Sequence, residues 1–253
     1  MPKHLRQKTH ARHTLERYTG SSTREFGSHI ILVNFPRYVD HFADITGAQI
    51  KTGYWSAAHD RQNNISIINF GVGSPSAGIV THCLSYLEQV ECVLMLGMCG
   101  GIDDGLNVGD FLIPTASVRD EGTSRHYLPR DVPAQPSFPI NRICQQIIRN
   151  ETGTKPHSGI MLTTDYRMWE FDTEFTEYIL KHRIMAIDME TATIFAVAYA
   201  LNLAAGAIML VSDLPLQKGG IKSKESAKKV FRQHTERHID IVLKTFAEMK
   251  QQQ

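Results

Sequence analysis

The sequence predicts an α/β fold, a single domain with a mixed central sheet flanked by helices. Three observations predict it. Short apolar runs alternate with longer segments of helical spacing, the pattern of a sheet covered on both faces. Most of these runs end in a polar or Gly-rich segment, where α/β sheets collect their ligands. No repeat, linker or low-complexity tract divides the chain. Residues 1–27 read as an N-terminal arm and 28–253 as one domain.

The elements follow in order. The opening segment carries Lys3, Arg6, Lys8, Arg12 and Arg17 around no apolar core, so it is no secretory signal. It reads as a solvated or partner-bound arm. Ile30 to Val33 is a short buried strand, and Pro36 opens a helix through Asp44. Ile65 to Phe70 is a second strand. A helix from Ser76 to Gln89 puts Ile79, Val80, Cys83, Leu84 and Leu87 on one face. Cys92 to Leu96 is a third strand that enters a glycine turn, and Asp110 to Val118 is a fourth. After a Pro-rich loop come a helix from Asn141 to Asn150 and a strand from Ser158 to Thr163. A helix from Thr173 to His182 and a short strand from Met185 to Ile187 follow. Met189 to Leu203 is a helix with Ile194, Val197, Ala198 and Leu201 at helical spacing. Ala207 to Val211 is the last strand, and Lys224 to Met249 a long amphipathic helix.

Composition excludes several functions. Lys+Arg is 27 and Asp+Glu is 26 in 253 residues, a net charge of +1. That balance lacks the basic surface a nucleic-acid binder needs. Hydrophobic residues at 42% and charged residues at 21% argue for a packed core and against disorder. Cys83, Cys92, Cys99 and Cys144 have neither disulfide-scaffold density nor zinc-site spacing, so reduced thiols in the cytoplasm are expected. Thr191 to Ser212 holds no charge and is long enough to suggest a membrane span. Asn202 and Gly206 interrupt it, however, and its flanks are the acids Asp188, Glu190 and Asp213. A buried helix followed by a buried strand fits better.

The chemistry-bearing candidates sit at strand ends. Gly97-Met98-Cys99-Gly100-Gly101 is not a dinucleotide fingerprint, and no G-K-[ST] occurs. It is either a tight turn or a close backbone approach to a ligand. Asp213 directly follows an apolar strand, where partial desolvation suits a general acid, though a turn cap is the plainer reading. Glu190 starts a helix beside Asp188. Two acids exceed what capping needs, so one of them can face a ligand. His234 and His238 are spaced i, i+4 but lack a third ligand, and read as a solvated helix face. Cys99 has no assignable base and reads as a small buried residue. No metal or cofactor is expected. The absence of G-x-S-x-G argues against a serine hydrolase.

These segments carry a resemblance. Residues 65–76 (ISIINFGVGSPS), the Gly97 segment, Asp188-Met189-Glu190-Thr191-Ala192 and Val211-Ser212-Asp213 resemble, in order and spacing, the motifs of the nucleoside phosphorylase/nucleosidase superfamily. Within it, Met95 to Gly101, Thr163 to Glu170, Ala186 to Ile194 and Val211 to Leu216 are most similar to the AMP nucleosidases. Val118 to Tyr127 instead resembles a loop of uridine phosphorylases, which keeps a purine or uridine nucleoside phosphorylase as the alternative. A non-catalytic nucleotide-binding protein is the alternative of another class, which retention of both Glu190 and Asp213 disfavours.

The resemblance implies roles. Asp213 would protonate or hydrogen-bond N7 of a leaving purine, and Glu190 would accept from the ribose hydroxyls. Met189 would pack on the sugar and Leu162 and Thr163 would border the base, with Ser212, Gly73 and Gly97 completing the pocket. Apart from the resemblance, Lys222, a basic residue nine positions after Asp213, is read as tuning the acid. The 5′-phosphate candidates are Arg37, Thr123, Ser124, Arg125, His126 and Arg167. Phosphorylases of the superfamily hold phosphate through a Gly and an Arg after the first strand, and an Arg and a Ser or Thr near Gly97. Here those positions read Asn34, Tyr38, Met95 and Met98. Methionines offer a dianion neither charge nor hydrogen bonds, so water is favoured as nucleophile. The expected reaction is AMP + water → adenine + ribose 5-phosphate, in purine salvage. A homo-oligomer, a hexamer by resemblance, with Tyr18 reaching a neighbouring site, is the expected assembly.

Overall fold

The computed structural model of the chain describes residues 3–221 and 224–252. The uninterrupted apolar runs form the middle of a nine-stranded mixed sheet. Strand β1 (His29–Val33) lies between β4 (Ile65–Asn69) and β5 (Cys92–Gly101), parallel to both. All of β1 is buried, which is why its residues show no polar alternation. β3 (Ser56–Asp60) adds antiparallel to β4, and the two-residue β2 (Lys51–Thr52) to β3. Neither was expected, because Ser56, His59 and Asp60 dilute the apolar signal.

Sequence reasoning ends the third strand at Leu96 and places a turn at Gly97 to Gly101. The structure corrects this. β5 continues to Gly101, leaves β1 and pairs antiparallel with β8 (Ala186–Asp188). Its other edge runs beside β9 (Ala204–Asp213) from Cys92 to Gly100. β9 also pairs with β6 (Phe111–Asp120), β6 with β7 (His157–Thr164), and β7 with β8. Strands β5, β8, β7, β6 and β9 therefore close into a ring, and β1, β4, β3 and β2 extend from it as an open wing. Gly97 sits inside this packing. A Cβ there would stand 2.6 Å from Met209 Cε and 2.8 Å from Met95 Cε. Glycine is needed for close approach within a strand.

Helices cover both faces, as α/β layering requires. α3 (Ser74–Leu84) and α6 (Thr191–Ala200) pack together on one face, with α1 (Lys3–Thr19) against α3. α2 (Pro36–Thr46), α4 (Phe138–Thr152) and α7 (Lys224–Gln251) cover the other. α5 (Thr173–Lys181) closes a small third core of Ile102, Leu162, Trp169, Ile179, Ile184 and Ile187. The charge-free run is α6 followed by β9, and Thr191 to Ala198 are all buried. A helix apolar on every side is a buried helix. No helix among the described residues is long and apolar enough to cross a membrane.

Two sequence readings change here. The segment read as an arm contains α1, whose Ala11 and Leu15 are buried in the main core. Its inward stripe is narrow, so its basic residues dominate the sequence pattern. His238, read as part of a solvated face, is fully buried. Its Nε2 lies 2.9 Å from the Ile208 carbonyl and its Nδ1 2.9 Å from the Tyr38 hydroxyl. A carbonyl only accepts, so Nε2 carries the proton and Nδ1 accepts from Tyr38. Burial pushes this histidine's pKa down to about 4. His234 is half-buried, with its ring beside Gly109.

Candidate active site

A cavity of about 310 Å³ opens where β1, β5, β8 and β9 end. Its wall includes Asn34, Met98, Asp188, Met189, Glu190, Ser212 and Asp213. A ligand-sized hollow with convergent polar groups at strand ends is the expected binding site of such a sheet.

The two acids at the start of α6 divide their work. Asp188 Oδ2 accepts from the Thr191 N–H at 2.7 Å, from the Glu190 N–H at 3.2 Å and from the Thr191 hydroxyl. Its Oδ1 accepts from Thr163 Oγ1 at 2.5 Å. Asp188 therefore caps the helix, and Glu190 is released from that task. Glu190 is only 2% exposed. Its Oε1 accepts from the Gly73 N–H at 2.7 Å and its Oε2 from Asn34 Nδ2 at 3.3 Å. Gly73 has φ +105°, a backbone that side-chain-bearing residues rarely adopt. Burial raises the pKa of Glu190, and the neighbouring Asp188 charge raises it further. Burial also raises that of Asp188, against the pull of its hydrogen-bond donors.

Asp213 reaches the wall through a bulge. The β5–β9 register passes from Cys99 opposite Val211 to Gly100 opposite Asp213, so Ser212 is the extra residue. Such an insertion bends the strand and re-aims the side chains beside it. Ser212 Oγ lies 2.5 Å from Asp213 Oδ1 and 3.2 Å from the Cys99 carbonyl. The arrangement serves either protonation state. Serine can donate to the carboxylate, or accept from the carboxylic acid while donating to Cys99. Asp213 is half-buried.

The remaining candidates are spread around this wall and beyond it. Met189 and Arg167 line the cavity with the two acids. Leu162, Thr163 and Gly73 lie behind the wall. Leu162 packs with Ile187 and Trp169, Thr163 holds Asp188, and Gly73 holds Glu190. Gly97 lies within the sheet. Outside the lining are exposed Arg37 and the turn of Thr123, Ser124, Arg125 and His126. Ser124 is buried, accepting from Arg119 Nε at 2.8 Å and donating its N–H to Glu121 at 2.9 Å. The Tyr18 ring packs edge-on against Trp55 at 4.8 Å. Lys222 lies outside the described residues. Sequence reasoning gave no role to Trp169 and Glu170, which also line the cavity. An aromatic next to an acid just beyond a strand end was the available signal.

Residues 29–247 match the phosphorylase superfamily. The AMP nucleosidase of Escherichia coli is 26% identical over 273 aligned residues, covering 90% of this chain and 56% of that protein. The chain thus spans about half the length of that relative. A guanosine phosphorylase of Halorubrum lacusprofundi is 32% identical over 184 residues, covering 71% of this chain and 74% of that one. The crystal structure of an AMP nucleosidase from Bacteroides thetaiotaomicron superposes with a TM-score of 0.84 at 30% identity, over 97% of this chain and 98% of the other. With a match over nearly its whole length and acids gathered at the strand ends, the chain belongs to the phosphorylase superfamily, whose members cleave glycosidic bonds.

Proposed function

We propose that the chain hydrolyses the N-glycosidic bond of AMP to adenine and ribose 5-phosphate. One observation carries the choice of water over phosphate. The positions at which superfamily phosphorylases hold phosphate offer no cation here. Asn34 is bonded to Glu190, Tyr38 is buried and bonded to His238, Met95 is buried, and Met98 lines the cavity. Among the described residues, Arg167 is the cation in the cavity wall, and it is paired with Glu170. A desolvated phosphate dianion needs more positive partners than that. The similarity to AMP nucleosidases supports the substrate.

In this reading the C1′–N9 electron pair leaves with the purine while Asp213 supplies a proton at N7. Help of this kind is worth about 10²–10⁴ in rate. Ionised Glu190 accepts from the ribose hydroxyls, and its charge favours the oxocarbenium-like sugar over the ground state. Water adds its oxygen to C1′ and gives up a proton, by way of solvent, to re-protonate Asp213, so the net reaction consumes one water. Arg167 alone of the six candidates lines the cavity and is the 5′-phosphate ligand this reading favours; its side chain is exposed, so a phosphate there keeps part of its water and needs fewer cations than a buried one. Lys222 tunes Asp213 in the same reading, and an unchanged pH–rate profile in Lys222→Ala would remove that role. We read the assembly as a cytoplasmic homohexamer with Tyr18 near a neighbouring site, which light scattering tests.

The deciding experiment is product analysis of AMP and adenosine, each with and without phosphate. Adenine and ribose 5-phosphate from AMP, without a phosphate requirement, are expected. Phosphate-dependent cleavage of a nucleoside would establish a phosphorylase instead.

A further inference from the structure

A buried carboxylate oxygen in the cavity wall has no evident task. The Glu170 side chain is 5% exposed. Its Oε1 accepts from Arg167 Nη1 at 2.5 Å. Its Oε2 has no hydrogen-bond partner among the described residues. Leaving a charged acceptor buried and unmet costs more than an ordinary hydrogen bond returns, so such a group calls for a function. Packing alone does not explain it, because a leucine would fill the wall without that cost.

The surroundings define what would satisfy it. Glu170 follows Trp169, whose ring belongs to the apolar core behind the cavity. Four lining residues are acids (Asp188, Glu190, Asp213 and Glu170) and one, Arg167, is a base. Asp188 is spent on the helix start, and Glu190 is held by Gly73 and Asn34. Arg167 neutralises one oxygen of Glu170 and leaves the other as a fixed acceptor. A ligand reaching this wall must bring a hydrogen-bond donor. A carbonyl oxygen placed there would meet lone pairs with lone pairs.

We infer that Glu170 selects the base, accepting a hydrogen bond from the exocyclic amine of a 6-aminopurine and rejecting 6-oxopurines. The inference deepens the nucleotide hydrolysis reading and rests on it for taking this cavity as the base site. Adenine and hypoxanthine have nearly the same shape but opposite polarity at C6: an N–H donor in one, an oxygen acceptor in the other. Sites that hydrogen-bond a substrate group discriminate far better than sites that only enclose it. Arg167 is here the group that keeps Glu170 aligned, and this assignment competes with its candidacy for the 5′-phosphate.

The test is equilibrium binding of free bases to the full chain by calorimetry, which needs no turnover. The unmodified protein should bind adenine about 10–100-fold more tightly than hypoxanthine, the worth of a hydrogen bond to a charged group. Glu170→Gln should bring the two within about threefold, because an amide can turn its NH₂ toward O6. Equal binding by the unmodified protein, no binding of adenine, or an unchanged preference in the variant would overturn the inference. A second comparison needs no variant. Purine, which lacks the amine, should bind about tenfold or more weakly than adenine, and equal affinity would refute it. The two readings fail separately. If AMP is not hydrolysed while the adenine preference stands, the hydrolysis reading falls. If AMP is hydrolysed but the preference ignores Glu170, the base assignment falls.

Discussion

Glu190 is held by two donors that a glutamine would also satisfy. The Gly73 N–H can bond the amide oxygen, and Asn34 can turn its own amide to accept from the new NH₂. Glu190→Gln should therefore fold, and two effects should follow. Its raised pKa in the fold means that the native state binds a proton where the unfolded chain does not. Native stability thus falls as pH rises from the ordinary glutamate value through the raised one. The variant escapes this loss. Above that window its Tm should exceed the parent's by roughly 2–4 °C, the shift from about 1 kcal/mol in a domain of this size. Activity should move the other way, by about 10²–10³-fold in kcat, because the charge that the proposed mechanism sets against the sugar is gone. The acid limb of kcat/KM should lie above the usual carboxylate range in the parent and vanish in the variant. Asp213 and Glu190 were legible in the sequence because each stands at an element's end. The division of labour between Glu190 and Asp188 was not, since it depends on Thr163 of β7 and Gly73 before α3.

Elements whose buried stripe is narrow were the hardest to read. α1 hides Ala11 and Leu15 among basic residues, so its sequence suggests a free arm, yet Leu15 is completely buried. Leu15→Ala should cost about 2–5 kcal/mol in urea unfolding, as expected for a core truncation. A free arm would give no change. α7 is pinned to the sheet through His238 between Tyr38 and Ile208. Because this histidine titrates lower in the fold than in the unfolded chain, the unfolded state takes up the extra proton. Stability should then fall as pH drops from about 6.5 toward about 4. His59, bonded to Ser66 and Ser21 and also pushed down to about 4 by burial, has the same sign. Thermal unfolding of His238→Gln across that range should show a shallower slope, and a slope equal to the parent's would exclude the account. Helical spacing placed α7 correctly but says nothing about which side of it meets a cavity partner.

Across the whole molecule, the alternation of apolar runs and helical segments made the layered α/β architecture readable from sequence. The closure of five strands was not readable. It depends on β5 changing partners after Leu96 and on a one-residue slip at Ser212. Both are properties of pairing between distant segments, which local patterns do not encode. The same reason explains why Arg37 and the Thr123–His126 turn lie outside the lining of this cavity. Each lies near a recognisable motif in the chain, but the fold points the motif's neighbours elsewhere.

A ring of strands has no end from which pairing can fray. The segment that presents Cys99 is paired on both sides for most of its length, and β9, which ends at Asp213, runs beside it and meets β6 at Met209 and Leu210. Their amides should thus be among the last to exchange with deuterated solvent, opening only when the entire domain does. The segment around Arg167 and Trp169 lies beyond the end of β7, outside the ring, and should exchange sooner. The floor of the cavity is then the most rigid part of the site. Whatever rearrangement admits a ligand to the cavity must take place in the loops above it.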